Sequence, residues 1–244
     1  MLEIQKFSKI FAANWKMNGS ISFIDSFIKK LEFSKKDDEN RCIVIFPSLT
    51  HIKYTIRNVK DFYVGAQNCS IYLNGAYTGD VSASMLKDIG CEFCIVGHSE
   101  RRSFFSEKSV EVSQKANNLI NNKIIPIICV GETLEQKQSQ KTKEVISKQL
   151  KESIPTSSNP NNSIIAYEPV WAIGTGLTPT IEDIIDIHSF IKKEISGNEK
   201  YKILYGGSVK SNNAKEILSA ENVDGVLVGG ASLDCKEFSK ILSY

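Results

Sequence analysis

The chain has little that would hold it to a charged polymer or a membrane. Its 244 residues include 30 basic and 28 acidic side chains, a formal charge of +2. No global field therefore draws nucleic acid or anionic lipid. Basic runs such as Lys29-Lys30 and Lys35-Lys36 stand beside Asp37, Asp38 and Glu39 and read as a solvated face. No apolar run approaches the roughly 18 residues a spanning helix needs. The opening stretch MLEIQKFSKIFAANW lacks the apolar core and small-residue cleavage pattern of a secretory leader. A cytoplasmic home is the expectation, which makes Asn-x-Ser at Asn18, Asn68 and Asn161 chance matches.

Metal-binding residue types are equally sparse. Histidine occurs only at positions 51, 98 and 188, and the six cysteines offer one close spacing, Cys91-Glu92-Phe93-Cys94. With no second pair to complete a cage, no metal site is expected. In a reducing compartment the thiols should pack as small hydrophobes.

What the sequence does have is alternation. Hydrophobic residues at 41% and charged ones at 24% suit a globular chain with a substantial core. Short runs rich in Val, Ile, Ala and Cys predict strands at 10–14, 42–46, 62–67, 93–97, 125–130, 163–168, 202–206 and 224–229. Helical spacing fills the gaps at 20–33, 49–57, 82–88, 108–121, 134–152, 179–196, 212–219 and 235–243. Thr178, Pro179 and the acids Glu182 and Asp183 predict the start of the helix after the sixth strand. Strands alternating with helices imply parallel pairing, because a crossover is needed to return the chain to the same edge. Eight such units in this length predict a single α/β domain over 1–244, a closed (β/α)8 barrel. The Ser/Asn/Pro-rich stretch 156–163 reads as a surface loop.

In such a barrel, chemistry gathers at the carboxyl ends of the strands. There the sequence places Asn14-Trp15-Lys16, with residues 14 and 16 on one face of an extended chain, then His98-Ser99-Glu100-Arg101-Arg102, and Glu168. A cation, an imidazole and a carboxylate arrive from three separate strands. Each alone fits a blander role: a surface lysine, a core histidine, half of an ion pair. Strands seven and eight end in Tyr205-Gly206-Gly207-Ser208 and Val228-Gly229-Gly230, and paired glycines there let backbone N–H groups approach an anion. Glu168 is followed by a stiff Pro169-Val170-Trp171, an apolar tip Ala172 to Gly176, and Leu177-Thr178-Pro179, the pattern of a lid with two hinges. Gly174 could offer its N–H to a phosphate oxygen.

Six motifs, in order, carry a resemblance over essentially the full length to the triosephosphate isomerase family: Asn14 to Asn18, Val96 to Arg102, Cys129 to Thr133, Ala166 to Gly176, Tyr205 to Ser208, and Val228 to Ala231. The resemblance implies cofactor-free interconversion of dihydroxyacetone phosphate and glyceraldehyde 3-phosphate, an activity of glycolysis and gluconeogenesis. It implies Glu168 as base, His98 as the group polarising the oxygens, and Lys16 with Asn14 as the source of positive potential. The phosphate cradle would be Gly174, Ser208, Gly229 and Gly230. Tyr205 and Ser208 resemble residues that latch a closed lid, Glu132 and Trp171 a pair that holds it open, and Glu100 a positioning carboxylate. Gln67-Asn68 and the loop Gly75 to Asp80 resemble a dimer loop, with Thr78 reaching the partner's site, so a homodimer is expected. Leu177, where the family usually has lysine, Asp80, where it usually has glutamate, and a shortened region around 153–163 depart from the pattern. Two other readings share parts of it. Another phosphate-binding barrel would keep the glycines but not require Glu168, His98 and Lys16 together, and a silent barrel would have lost one of the three.

Overall fold

The computed structural model describes residues 2–31, 39–173, 177–195 and 201–244. Eight parallel strands close on themselves in sequence order: β1 (Lys9–Asn14), β2 (Arg41–Phe46), β3 (Tyr63–Ala66), β4 (Phe93–Val96), β5 (Ile125–Val130), β6 (Ile164–Tyr167), β7 (Lys202–Tyr205) and β8 (Gly225–Val228). β8 returns to β1 with Ile10 opposite Gly225. The strands are nearly continuous runs of buried residues because both of their faces are covered, one by helices and one by the barrel interior.

The period of two along a strand sorts the core into two layers. Ile10, Ala12, Val44, Phe46, Ile95, Ile127, Cys129, Ile164, Ala166, Leu204 and Leu227 fill the barrel, closed below by Ile4 and Phe7. Their neighbours Phe11, Ala13, Ile43, Ile45, Val96, Ile128, Ile165 and Val226 pack outward against the helices. The helices are α1 (Ile21–Lys30), α2 (Ile52–Asn58), α3 (Ala83–Asp88), α4 (Ser99–Phe104), α5 (Ser109–Asn121), α6 (Leu134–Gln138), α7 (Thr142–Ser153), α8 (Ile181–Ile195), α9 (Ala214–Ser219) and α10 (Cys235–Leu242).

Two local expectations are corrected, and one helix is added. The helix predicted over 134–152 is two helices, because Gln140 adopts a left-handed backbone (φ +57°) between them. The charged segment after His98 is itself a helix, α4, whose first turn begins as the Glu100 N–H meets His98 Nδ1 at 3.2 Å. The hydroxyl that caps α8 belongs to Thr180, which accepts the Asp183 N–H at 3.1 Å, so Thr178 and Pro179 lie outside the helix.

The CxxC pair is buried in the wall of the barrel. Burial pushes the Cys91 thiol up to about 12 and Cys94 well above its ordinary value, so both stay protonated and pack as hydrophobes. Among the described residues no group of His, Cys, Asp or Glu is arranged to hold a metal ion.

Candidate active site

Inward alternation along two strands carries Asn14 and Glu168 to the carboxyl mouth of the barrel: residues 10 and 12 face in, as do 164 and 166. On β4 the same rule would turn position 98 outward. Gly97 breaks it with φ +70°, and the imidazole of His98 arrives beside Glu168. Lys16 also leaves the extended path expected for it, since its φ is +53°. A left-handed lysine is strained, and two contacts hold it. Its N–H donates to Asn14 Oδ1 at 3.1 Å, and its carbonyl accepts from Gln67 Nε2 at 2.8 Å.

The result is a connected set of charges. Lys16 Nζ lies 2.5 Å from Glu100 Oε1, whose other oxygen is 3.6 Å from His98 Nδ1. His98 Nε2 lies 3.0 Å from Glu168 Oε1, and the Ser99 N–H donates to Glu168 Oε2 at 2.9 Å. The approach to Oε1 is a contact at ion-pair distance rather than an aligned hydrogen bond, so that oxygen has no hydrogen-bonded donor among the described residues. Burial alone would raise the Glu168 carboxyl. His98, the Ser99 N–H and Lys16 outweigh it and hold the group below the ordinary carboxylate value. For His98, burial favours the neutral ring and Glu168 favours the protonated one. The balance holds His98 above its ordinary value, and in the neutral ring the Glu100 N–H donated to Nδ1 leaves the proton on Nε2.

A cavity of about 500 Å³ unites Asn14, Lys16, His98 and Glu168 with Ile173, Ser208, Gly229 and Gly230. Gly230 is exposed, with open space where a side chain would be, and Gly229 faces the Lys16 stem. The other glycine pair is used differently from the anion-facing role read in the sequence. Gly206 spends its N–H on the Tyr167 carbonyl at 2.7 Å, and a Cβ there would sit 2.8 Å from Glu168 Cγ. A Cβ on Gly207 would meet Tyr205 Oη at 2.2 Å. These two glycines make room for the base and the tyrosine. Gly131 does the same from β5, since a Cβ there would fall 1.7 Å from the Glu168 carbonyl oxygen. Its N–H and C=O are both taken by the Gln149 amide, at 2.8 and 2.9 Å. Neither Gly131 nor Gln149 was legible as part of the site, because the contact that explains them is between strands.

After Glu168 the chain makes a single tight turn, Val170–Ala172. Trp171 Nε1 donates to Glu132 Oε1 at 2.8 Å, and the Tyr167 hydroxyl reaches the same oxygen at 3.2 Å. Lys137 covers the Trp171 ring with its Nζ 3.8 Å from the centroid. The hydroxyl of Tyr205 is buried without a hydrogen-bond partner among the described residues. The expected lid tip, with Gly174, lies outside the described residues.

The sequence model of the family described as triosephosphate isomerase matches residues 9–244. A triosephosphate isomerase from Francisella tularensis subsp. mediasiatica is 44% identical over 243 residues, 96% of this chain and 96% of that protein. One from Jannaschia sp. is 42% identical over 245 residues, covering 96% of this chain and 97% of that protein. The crystal structure of triosephosphate isomerase from Bartonella henselae superimposes with a TM-score of 0.86 at 36% identity, over 97% of this chain and 98% of that one. By its barrel and by its sequence, this chain belongs to the triosephosphate isomerase family.

Proposed function

We propose that this chain interconverts dihydroxyacetone phosphate and glyceraldehyde 3-phosphate by moving a proton between adjacent carbons through an enediolate. The observation that carries the reading is the convergence of Glu168, His98 and Lys16 on one cavity that ends in open backbone at Gly229 and Gly230. Glu168 is the base. Its Oε1 lacks an aligned donor, while Ser99 steadies the other oxygen. General base assistance supplies about 10² to 10⁴ in rate, too little alone for a weakly acidic carbon. The enediolate must also be stabilised, and each preorganised donor in a dry site contributes roughly 3 to 4 kcal/mol. His98 presents Nε2–H to the developing oxyanion, and Lys16 with Asn14 adds positive potential between that oxygen and the phosphate. The phosphate sits against Gly229, Gly230 and Ser208, with Gly174 closing over it.

The segment from Pro169 to Pro179 acts as a lid. Trp171 on Glu132 holds the open form, and the unpartnered Tyr205 hydroxyl is a ready acceptor or donor for the closed one. Closure excludes water and protects an intermediate that would otherwise lose phosphate. The test is Glu168→Asp in a coupled assay. A carboxylate shortened by one methylene should lower kcat by at least about 10²-fold while KM stays within a few fold, because the phosphate contacts remain. Parental kcat would refute the assignment.

The reading includes a homodimer. Met17 (96% exposed), Phe104 (79%) and Phe105 (66%) are apolar side chains open to solvent around a second cavity of about 730 Å³ that reaches Asn14, Lys16 and His98. A patch of this kind beside the mouth suits a protein partner, and the loop carrying Thr78, braced by the stacked rings of Tyr72 and Tyr77 at 3.6 Å, would fill it from a second copy. Sizing at concentrations well below micromolar should still give a dimer, and an active monomer there would contradict it. No helix among the described residues is long and apolar enough to cross a membrane, and the cytoplasm is the compartment in keeping with cysteines packed as buried thiols, such as Cys69, Cys91, Cys94 and Cys129.

A further inference from the structure

The two arginines that follow His98 have different company. Arg101 Nε lies 3.7 Å from Glu107 Oε1, in a cluster that also contains Lys115. Arg102 has no carboxylate within ion-pair distance among the described residues. It curls back five residues instead and binds neutral acceptors: Nε to the Gly97 carbonyl at 2.8 Å, Nη1 to Ser109 Oγ at 3.0 Å, and Nη2 to the Cys129 carbonyl at 3.0 Å and Ser153 Oγ at 3.1 Å. Gly97 is a glycine partly on this account. Its φ is +70°, and a Cβ would lie 2.9 Å from Nη2.

These contacts place a partly buried cation behind the base. Gly97 leads directly into His98 and Ser99, and Cys129 precedes Val130, whose carbonyl accepts the Glu168 N–H at 2.8 Å. The guanidinium therefore ties together the two backbone segments that deliver His98, the Ser99 N–H and Glu168. Arg102, Ser99, Gly131, Gln149 and Glu168 line one small cavity of about 190 Å³, on the side away from the substrate cavity's glycines. We propose that Arg102 is a positioning residue for the isomerisation: its fork fixes the ends of β4 and β5 against each other, and its charge, hydrogen-bonded only to neutral acceptors, favours the ionised Glu168 from behind while Lys16 does so from the front.

The other groups facing Glu168 are His98 and Glu100 from the β4 side, Lys16 after β1, and the Cys129 thiol from β5, which burial keeps protonated. None of them supplies a second cation from behind. Burial disfavours the guanidinium's charge, and the fields of Glu107, Glu168 and Glu152 favour it, so Arg102 and Glu168 stabilise each other across the cavity.

The proposal rests on the isomerase reading, and the experiment separates the two. Isomerisation by the parent enzyme is followed against pH alongside R102M, R102K and S109D. Titration of the substrate phosphate is common to all four and cancels in the comparison. In R102M the acid limb of kcat/KM should move up by about 0.5 to 1 pH unit. Its kcat should fall roughly tenfold or more, with KM within about threefold. R102K keeps the charge and loses the fork, so its acid limb should stay while kcat falls. S109D puts a carboxylate beside Nη1 at the first position of α5, where the helix dipole favours it. It should fold normally and move the acid limb in the same direction as R102M. An acid limb unmoved in R102M overturns the proposal, and if R102M is not recovered folded, an acid limb unmoved in S109D does so. A parent enzyme without turnover would instead overturn the isomerase reading itself.

Discussion

Single residues divide into those that local chemistry explains and those that only a neighbour explains. Lys123 belongs to the first kind. It follows α5 with φ +57°, its N–H binds the Ile120 carbonyl at 2.9 Å, and the next N–H binds Leu119 at 2.9 Å, the hydrogen-bond pair that normally ends a helix on glycine. Lys123→Gly should therefore stabilise the fold by about 0.5 to 1 kcal/mol, read as a shift in the midpoint of denaturant unfolding. No gain in midpoint would show that the lysine side chain contributes more than its backbone strain costs. Gly131 belongs to the second kind. Nothing in Val-Gly-Glu-Thr announces that Glu168 will pass beside it, yet a methyl there would occupy the Glu168 carbonyl oxygen. Gly131→Ala should cost at least about 2 to 4 kcal/mol in thermal unfolding. Gly230→Ala, which meets nothing within 4 Å, should cost under about 0.5 kcal/mol. Equal losses in the two variants would contradict this account of the mouth.

At the scale of elements, the strands were legible and their ends less so. Apolar runs marked all eight strands to within a residue at each end, because a strand covered on both faces has no polar position to confuse the pattern. Helix boundaries set by a side chain or a left-handed residue were missed at three places: the Thr180 hydroxyl at the start of α8, the left-handed Gln140 after α6, and His98 at the start of α4. The turn after His98 matters most. Its first N–H groups engage the imidazole and the base, at 3.2 and 2.9 Å, so a helix of six residues sets both the histidine tautomer and the resting position of Glu168.

For the molecule as a whole, stability should depend on pH through a histidine far from the chemistry. His188, on α8, is fully buried between the rings of Tyr167 and Tyr205, with Nδ1 on the Asn222 carbonyl at 3.1 Å and Nε2 unpartnered among the described residues. Burial, against smaller opposing contributions from Asn222 and Asp224, lowers it from 6.5 to about 4. Above pH 6.5 the ring is neutral in both folded and unfolded chains and contributes no pH dependence. As pH falls from 6.5 toward 4 the unfolded chain takes up a proton that the folded chain refuses, and about 3 kcal/mol of stability is lost. Chemical denaturation of the parent and of His188→Asn at pH 7 and pH 4.5 isolates this component. The parent should lose more than the variant, and identical slopes would remove His188 from the account.

The sequence by itself determined that eight apolar strands alternate with helices, that a lysine, a histidine and a glutamate stand at three strand ends, and that glycines cluster after the last two strands. Those properties follow from local periodicity and from residue type, which are written along the chain. Only the tertiary structure decided which glycines face open space and which make room for Glu168, that Lys16 sits in a left-handed turn, and that Arg102 lies behind the base. Each of these depends on atoms from segments tens of residues apart meeting within a few ångströms, and barrel closure alone sets those distances.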